Sequence, residues 1–217
     1  RDYKVTGVQT CALPILKLND NELYDMIEKI NMTGAIIIYD CPYRKLFYED
    51  DFFDRISHFE NIIVTESFSK WIGLSGLRLG FIFSNNKDFN SELNIRLLYE
   101  FNAVSSPSQM IIEKVISTPE GRLAHNVFRK ITVENITKNI DYLKENNLLV
   151  KEIYGDTKPM GIFAVINKSE DFLFQNKIGA VGLDKFVYYD KDTWSSYSRI
   201  CVSVQHELFK SFISKII

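Results

Sequence analysis

Apolar residues at helical spacing alternate along this chain with short, continuous apolar runs. The first helical pattern begins where Asn19 and Glu22 have the spacing of a capping box, and Leu18 and Leu23 have that of a hydrophobic staple. The run over residues 35–39 is rich in β-branched residues and precedes an aspartate. We expect it to be a strand that is buried on both faces of a parallel sheet.

The same alternation continues through the middle of the chain. It predicts strands over residues 62–64 and 79–83, and helices over residues 50–58, 88–99, 106–116 and 118–146. Alternating helices and strands predict a βαβ arrangement, and therefore an α/β fold with a mostly parallel sheet and flanking helices. The last of these helices is long enough to bridge two domains.

The remaining residues form shorter elements, as expected for a smaller C-terminal α+β domain. The pattern predicts strands over residues 150–153, 161–166, 185–189 and 199–204, and helices over residues 170–176 and 206–216. We therefore divide the chain into a non-native arm of residues 1–15, the C-terminal half of a large domain at 16–128, and a small domain at 129–217.

The arm is assigned as non-native because residues 5–15 resemble the translation of a sequencing-library adapter. A genuine disordered arm or a signal segment is the alternative, although a signal peptide requires a longer apolar centre. On the adapter interpretation the chain is an N-terminally truncated piece of a longer protein, and we expect it to be inactive alone.

Composition excludes several classes of function. The chain has 217 residues and a net charge of −2, so nothing indicates a nucleic-acid partner. No apolar run approaches the length of a membrane span. Three scattered cysteines predict no disulfide framework and an intracellular, cytoplasmic setting. Three histidines in separate segments lack ligand spacing, so we expect no metal site.

Candidate chemistry gathers where two predicted strands end. Asp40 follows the first strand, and Lys70 follows the second, eight residues before Arg78 in a glycine-punctuated loop. In open α/β sheets ligands bind at the carboxyl ends of strands. A lysine amine can form a Schiff base with an aldehyde, and an arginine can bind a phosphate by two hydrogen bonds. Spacing alone leaves open a polar loop with a solvated lysine.

Pyridoxal phosphate supplies such an aldehyde and makes three further demands on a protein. It needs a carboxylate for its ring nitrogen, a hydrogen-bond donor for its phenolic oxygen, and cations and hydroxyls for its phosphate. Asp40, Tyr43, Arg78 and Ser67 are residues of these types.

Three segments together resemble the class I/II aminotransferases of the fold type I, aspartate-aminotransferase-like family: Asp40-Cys41-Pro42-Tyr43, Ser67-Phe68-Ser69-Lys70 and Gly76-Leu77-Arg78-Leu79-Gly80. The resemblance implies that Asp40 pairs with the pyridine nitrogen and Tyr43 with the ring oxygen. It also implies that Lys70 forms the Schiff base, and that Ser67 and Arg78, assisted by Ser69, hold the phosphate.

The resemblance extends downstream and implies a partial fold type I transferase. The segment over residues 105–109 is similar to the family's loop and helix start after the lysine. The segment over residues 198–203 is similar to the strand that presents an arginine, here Arg199, to the substrate α-carboxylate. The chain departs from the family pattern at residues 189–194, which leaves the substrate preference open.

The resemblance implies an aminotransferase that moves an amino group between an amino acid and a 2-oxo acid, with Lys70 as general base and acid. It also implies a homodimer for the full-length protein. Two alternatives remain at this stage. One is another pyridoxal-phosphate enzyme of the same fold, such as a decarboxylase, lyase or acyltransferase. The other is an aminotransferase-like effector domain of a transcription regulator.

Overall fold

The computed structural model describes residues 19–48, 52–101, 104–188 and 190–217. The predicted arm of residues 1–15 and Leu18 of the predicted staple lie outside these residues. The chain divides into two compact units, one ending at Val133 and the other running from Glu134 to Ile217. This division falls within the long helix that also contains the predicted boundary between residues 128 and 129.

The first unit contains three strands and the helices that connect them. The strands are β1 (Ile37–Asp40), β2 (Ile62–Ser67) and β3 (Gly80–Phe83). The helices are α1 (Asp20–Asn31), α2 (Arg44–Phe47), α3 (Phe52–Ile56), α4 (Phe68–Trp71), α5 (Lys87–Phe101), α6 (Ser106–Ser117) and the first part of α7 (Pro119–Glu145). A 3₁₀ turn, Ser75–Leu77, precedes β3.

Helix α1 begins as the sequence predicts. The Asn19 side chain accepts a hydrogen bond from the Glu22 amide at 2.9 Å, and the Glu22 carboxylate accepts one from the Asn19 amide at 3.0 Å. This capping box satisfies two amides that a helix start otherwise leaves unpaired. The helix buries Ile27 against the sheet.

The sheet of the first unit has the order β1-β2-β3, with β1 and β2 parallel and β3 antiparallel to β2. One face packs on a core of apolar residues from α1, α3 and the strands, including Ile27, Phe52, Ile56, Ile62 and Val64. The other, here called the open face, carries Ile38, Asp40, Ile63, Thr65, Ser67 and Ile82.

The prediction that residues 35–39 form a strand buried on both faces is wrong. Ile38 is 69% exposed and Ile36 is 65% exposed. Strand β1 lies at the edge of the sheet and only its Ile37 and Tyr39 face packs on the core. A continuous apolar run is consistent with a strand, but it does not say how many layers cover that strand.

The second unit contains the end of α7 and an antiparallel sheet in the order β4-β6-β5. Its elements are α8 (Lys151–Tyr154), β4 (Phe163–Ile166), α9 (Glu170–Gln175), β5 (Val181–Gly182), α10 (Lys191–Trp194), β6 (Ser198–Cys201) and α11 (His206–Ile213). The predicted strands at 161–166 and 199–204 and the predicted helices at 170–176 and 206–216 are therefore present with shifted ends.

Two predicted strands of this unit are wrong. Residues 151–154 form helix α8, and both Val150, which precedes the helix, and Tyr154, its last residue, are buried. The predicted strand at 185–189 begins inside a 3₁₀ turn, Leu183–Lys185, and its last residue lies outside the described residues. Short apolar runs fit a strand and a helical turn equally well, so spacing alone does not separate them.

A buried amide connects three elements of the second unit. Asn139 of α7 is fully buried, and its Nδ2 donates hydrogen bonds to the carbonyls of Val202 at 3.0 Å and Val204 at 2.7 Å. Its Oδ1 lies 2.8 Å from Nδ1 of His206 at the start of α11. One side chain thereby joins α7 to the segment that follows β6.

Candidate functional site

Asp40 lies at the carboxyl end of β1, on the open face. It pairs in register with Thr65 of β2, and the Thr65 hydroxyl donates a hydrogen bond of 2.7 Å to Asp40 Oδ1. A charge-assisted bond of this kind fixes the rotamer of a carboxylate that is otherwise exposed. The carboxylate is therefore held beside the neighbouring strand end.

Ser67 and Lys70 lie at the same edge of the sheet. Ser67 is the last residue of β2 and caps α4, with its hydroxyl accepting a hydrogen bond from the Ser69 amide at 3.2 Å. Ser69 is buried, and Lys70 is half-buried in this short helix. Because β1 and β2 are parallel, Asp40 and Ser67 end up two register positions apart at one edge.

Arg78 reaches this edge through β3. Gly80 pairs with Ser67, and the Phe68 amide bonds to the Leu79 carbonyl at 3.1 Å. Arg78 is exposed, has a left-handed φ of 50°, and donates from its guanidinium to the Ser75 carbonyl at 3.3 Å. Arg78 therefore lies two residues before Gly80, the position of β3 that pairs with Ser67.

Close packing fixes the loop between Lys70 and Arg78. Gly73 has a φ of 79°, and a Cβ placed there would lie 2.5 Å from the ring of Phe128. The Trp71 carbonyl lies 2.9 Å from Nε2 of His125 on α7. Ser108, at the start of α6, donates its hydroxyl to the Leu77 carbonyl at 3.1 Å. Helices α6 and α7 thus support the segment that carries the lysine.

Tyr43 and Arg199 are the two remaining site residues that the sequence predicts. Tyr43 is half-buried and immediately precedes α2, three residues after Asp40. Arg199 belongs to the second unit, on β6, where its guanidinium lies 4.2 Å from the ring centre of Phe163 and 4.4 Å from that of Phe186. These two rings hold the arginine by cation–π contacts.

A buried carboxyl group that no sequence pattern indicates lies on the core side of this edge. Glu66 lies on the core face of β2 and is only 4% exposed. Its Oε1 accepts a hydrogen bond from the Ser67 amide at 3.2 Å, and its Oε2 lies 3.9 Å from Sγ of Cys41. Burial raises the pKa of the Glu66 carboxyl to about 7, although the Ser67 amide and the charge of Lys45 oppose the shift.

Cys41 shares the buried environment of Glu66. Its thiol donates to the Thr65 carbonyl at 3.4 Å, and burial together with the negative charges of Glu66 and Asp40 raises the pKa of this thiol. The neutral thiol is therefore a small buried donor. Lys45 lies nearby, with Nζ 5.1 Å from the Trp71 ring centre and 5.4 Å from that of Phe81.

The described residues contain no group of three or more potential metal ligands. Among the helices described, none combines the length and apolar character that crossing a bilayer requires.

A family model for "Aminotransferase class I and II" matches residues 16–216. Among curated relatives, the histidinol-phosphate aminotransferase of Clostridium novyi is 29% identical over 60% of this chain and 32% of its own length. That of Brachyspira hyodysenteriae is 23% identical over 88% of this chain and 52% of its own length.

Solved structures give the same fold. "Pyrococcus protein-A1" superposes with a TM-score of 0.75 at 18% identity, covering 95% of this chain and 54% of that one. A Pyrococcus horikoshii kynurenine aminotransferase, solved in complex with PMP, superposes with a TM-score of 0.73 at 15% identity, covering 94% of this chain and 52% of that one. The chain therefore has part of this α/β fold and spans about half the length of these proteins.

Proposed function

Because the chain belongs to the class I and II aminotransferase family, we propose that the whole protein is a pyridoxal-phosphate-dependent aminotransferase. The observation that carries the proposal is the set of polar side chains at one sheet edge, where Asp40, Ser67 and Lys70 lie at the carboxyl ends of two parallel strands. A carboxylate, a hydroxyl and an amine of these types fit the ring nitrogen, phosphate and aldehyde of this cofactor.

In this proposal each residue has a distinct task. Asp40, held by Thr65, keeps the ring nitrogen protonated, and Tyr43 bonds to the ring oxygen. Ser67 and Arg78 bind the phosphate, with Ser69 next to them. Bound pyridoxal phosphate supplies an aldehyde and an electron-withdrawing ring.

The amine of Lys70 would hold the cofactor covalently through its aldehyde. As general base and acid, the same amine would move a proton at the substrate Cα. Arg199 binds the substrate α-carboxylate, for which its planar guanidinium can supply two parallel hydrogen bonds. The products are the 2-oxo form of the donor and the aminated form of the acceptor.

The substrates belong to the amino acid and 2-oxo acid class. Two of the relatives are named histidinol-phosphate aminotransferases, so histidinol phosphate should be included among the amino donors in a screen. We also propose a homodimer for the whole protein, in line with the family resemblance.

The test is Lys70→Ala in the whole protein, with Lys87→Ala on α5 as a matched exposed control. Wild type and the control should show the visible absorbance of covalently bound cofactor and convert a 2-oxo acid to an amino acid. Lys70→Ala should lose both the absorbance and the turnover. Retention of the absorbance in that variant would exclude Lys70 as the anchor.

A further inference from the structure

Glu66 is a buried ionisable group for which the proposed chemistry has no task. It lies on the core face of β2, opposite to the open face that carries Asp40, Thr65 and Ser67. A carboxyl group buried in an apolar core is costly and uncommon. Its contacts are therefore informative about what it does.

The two oxygens of Glu66 contact the two strand ends. Oε1 accepts a hydrogen bond from the Ser67 amide, at the point where β2 ends and α4, the helix that contains Lys70, begins. Oε2 lies 3.9 Å from the thiol of Cys41, which is the residue directly after Asp40, the last residue of β1. One side chain thus contacts the residue next to the carboxylate and the first residue of the lysine segment.

From this geometry we propose that Glu66 is a positioning residue, which holds the ends of β1 and β2 in the arrangement that cofactor binding requires, and does so best when ionised. An ionised acceptor forms a stronger hydrogen bond to the Ser67 amide than a neutral one. This inference rests on the proposed function, because it assigns the cofactor to the edge that Glu66 supports.

The charged and titratable groups around Glu66 come from two elements. The end of β1 supplies the Cys41 thiol and the Asp40 carboxylate, and α2 supplies the Lys45 amine. Strand β3 places the apolar Phe81 in register with Glu66. Burial, and to a smaller extent Asp40, favour the neutral carboxyl, whereas the Ser67 amide, Lys45 and the Cys41 thiol favour the carboxylate, so the pKa of Glu66 is raised to about 7.

The first measurement follows the backbone amide resonance of Ser67 against pH in the full chain, without cofactor. In wild type the resonance should shift with a midpoint near pH 7. The shift should be absent in Glu66→Gln and present in Glu92→Gln, where the same change is made at an exposed ion pair of α5. A Ser67 resonance that does not titrate in wild type overturns the proposal, even if no variant folds.

The second measurement compares pyridoxal phosphate affinity at pH 8 and pH 6 in the whole protein. At pH 8, Glu66→Gln should bind the cofactor about fivefold more weakly than wild type, while at pH 6 the two should be equal. If the ratio of wild-type to variant cofactor affinity is the same at both pH values, Glu66 has a structural role alone and the proposal is overturned. Absence of cofactor binding in wild type would refute the proposed function, and the Ser67 titration would still decide on the contact.

Discussion

At the scale of single residues, the open face and the core face of β2 place neighbouring side chains in opposite environments. Thr65 and Ser67 direct polar groups to the proposed cofactor edge, whereas Glu66 between them is buried. Asp40 is exposed, and its hydrogen bond with Thr65 is the described contact that fixes its carboxylate. Two predictions belong at this scale.

Thr65→Val keeps the shape of the side chain and removes its hydroxyl. Without this donor the Asp40 carboxylate loses its fixed orientation, so we expect cofactor affinity to fall about fivefold. The unfolding temperature should change little, because the hydroxyl lies on the open face. Absorbance titration measures the affinity. Thr33→Val, which removes a hydroxyl that donates to the Ile30 carbonyl and accepts from the Ala35 amide, is the control and should bind as wild type does.

Glu66→Gln should also change how stability depends on pH. The folded-state pKa is raised from 4.5 to about 7, so the folded protein binds this proton more tightly than the unfolded chain. The bound proton's contribution to the free energy of unfolding is fully present below pH 4.5. It falls by about 3 kcal/mol as the pH rises to 7. Urea unfolding across this range should show the decrease in wild type and not in the variant. If unfolding free energy depends on pH in the same way for wild type and Glu66→Gln, this prediction is contradicted.

At the scale of elements, patterns with a specific local partner were predicted well and apolar runs less well. The capping box of α1 and the serine-proline start of α6 involve residues close in sequence, so the sequence contains the whole interaction. The burial of β1 depends on which layers pack against it, which its own residues do not encode. Glu66 carries no local signal, since an acidic residue inside a strand usually faces solvent.

The Asn139 amide offers a test at this scale. Asn139→Leu removes the donors to the Val202 and Val204 carbonyls and the contact with His206. Buried carbonyls left without partners cost free energy, so we expect the second unit to lose about 2–4 kcal/mol of unfolding free energy. Denaturant unfolding measures the loss. Lys138→Gln, at the neighbouring exposed ion pair with Glu134, should cost less than about 1 kcal/mol.

At the scale of the whole molecule, the exposed apolar residues of the open face determine how the chain behaves in solution. Ile38 is 69% exposed and Ile82 is 45% exposed, on either side of the polar residues of β2. Apolar surface at a sheet edge promotes association between copies. The exposure of Ile38 and Ile82 therefore predicts that copies of the 217-residue chain associate in solution.

The double substitution Ile38→Thr and Ile82→Thr should reduce this association. Threonine keeps the β-branched shape that suits a strand, so the unfolding temperature should change little. Light scattering of the 217-residue chain should show smaller particles at equal concentration. Ile95→Thr, at an exposed apolar position of α5, is the control and should have less effect. Equal particle sizes for wild type and the double variant would assign the association to another surface.

The strand order of the first sheet also has a kinetic consequence. In β1-β2-β3 every hydrogen-bonded neighbour is also the next strand along the chain, whereas β4-β6-β5 requires β6 to enter between two strands made earlier. Pairing sequential neighbours closes shorter stretches of chain than pairing distant strands, so its loop-closure entropy cost is smaller. During synthesis the first sheet can therefore assemble as soon as β3 has emerged from the ribosome, while the second sheet must wait for its central strand, β6.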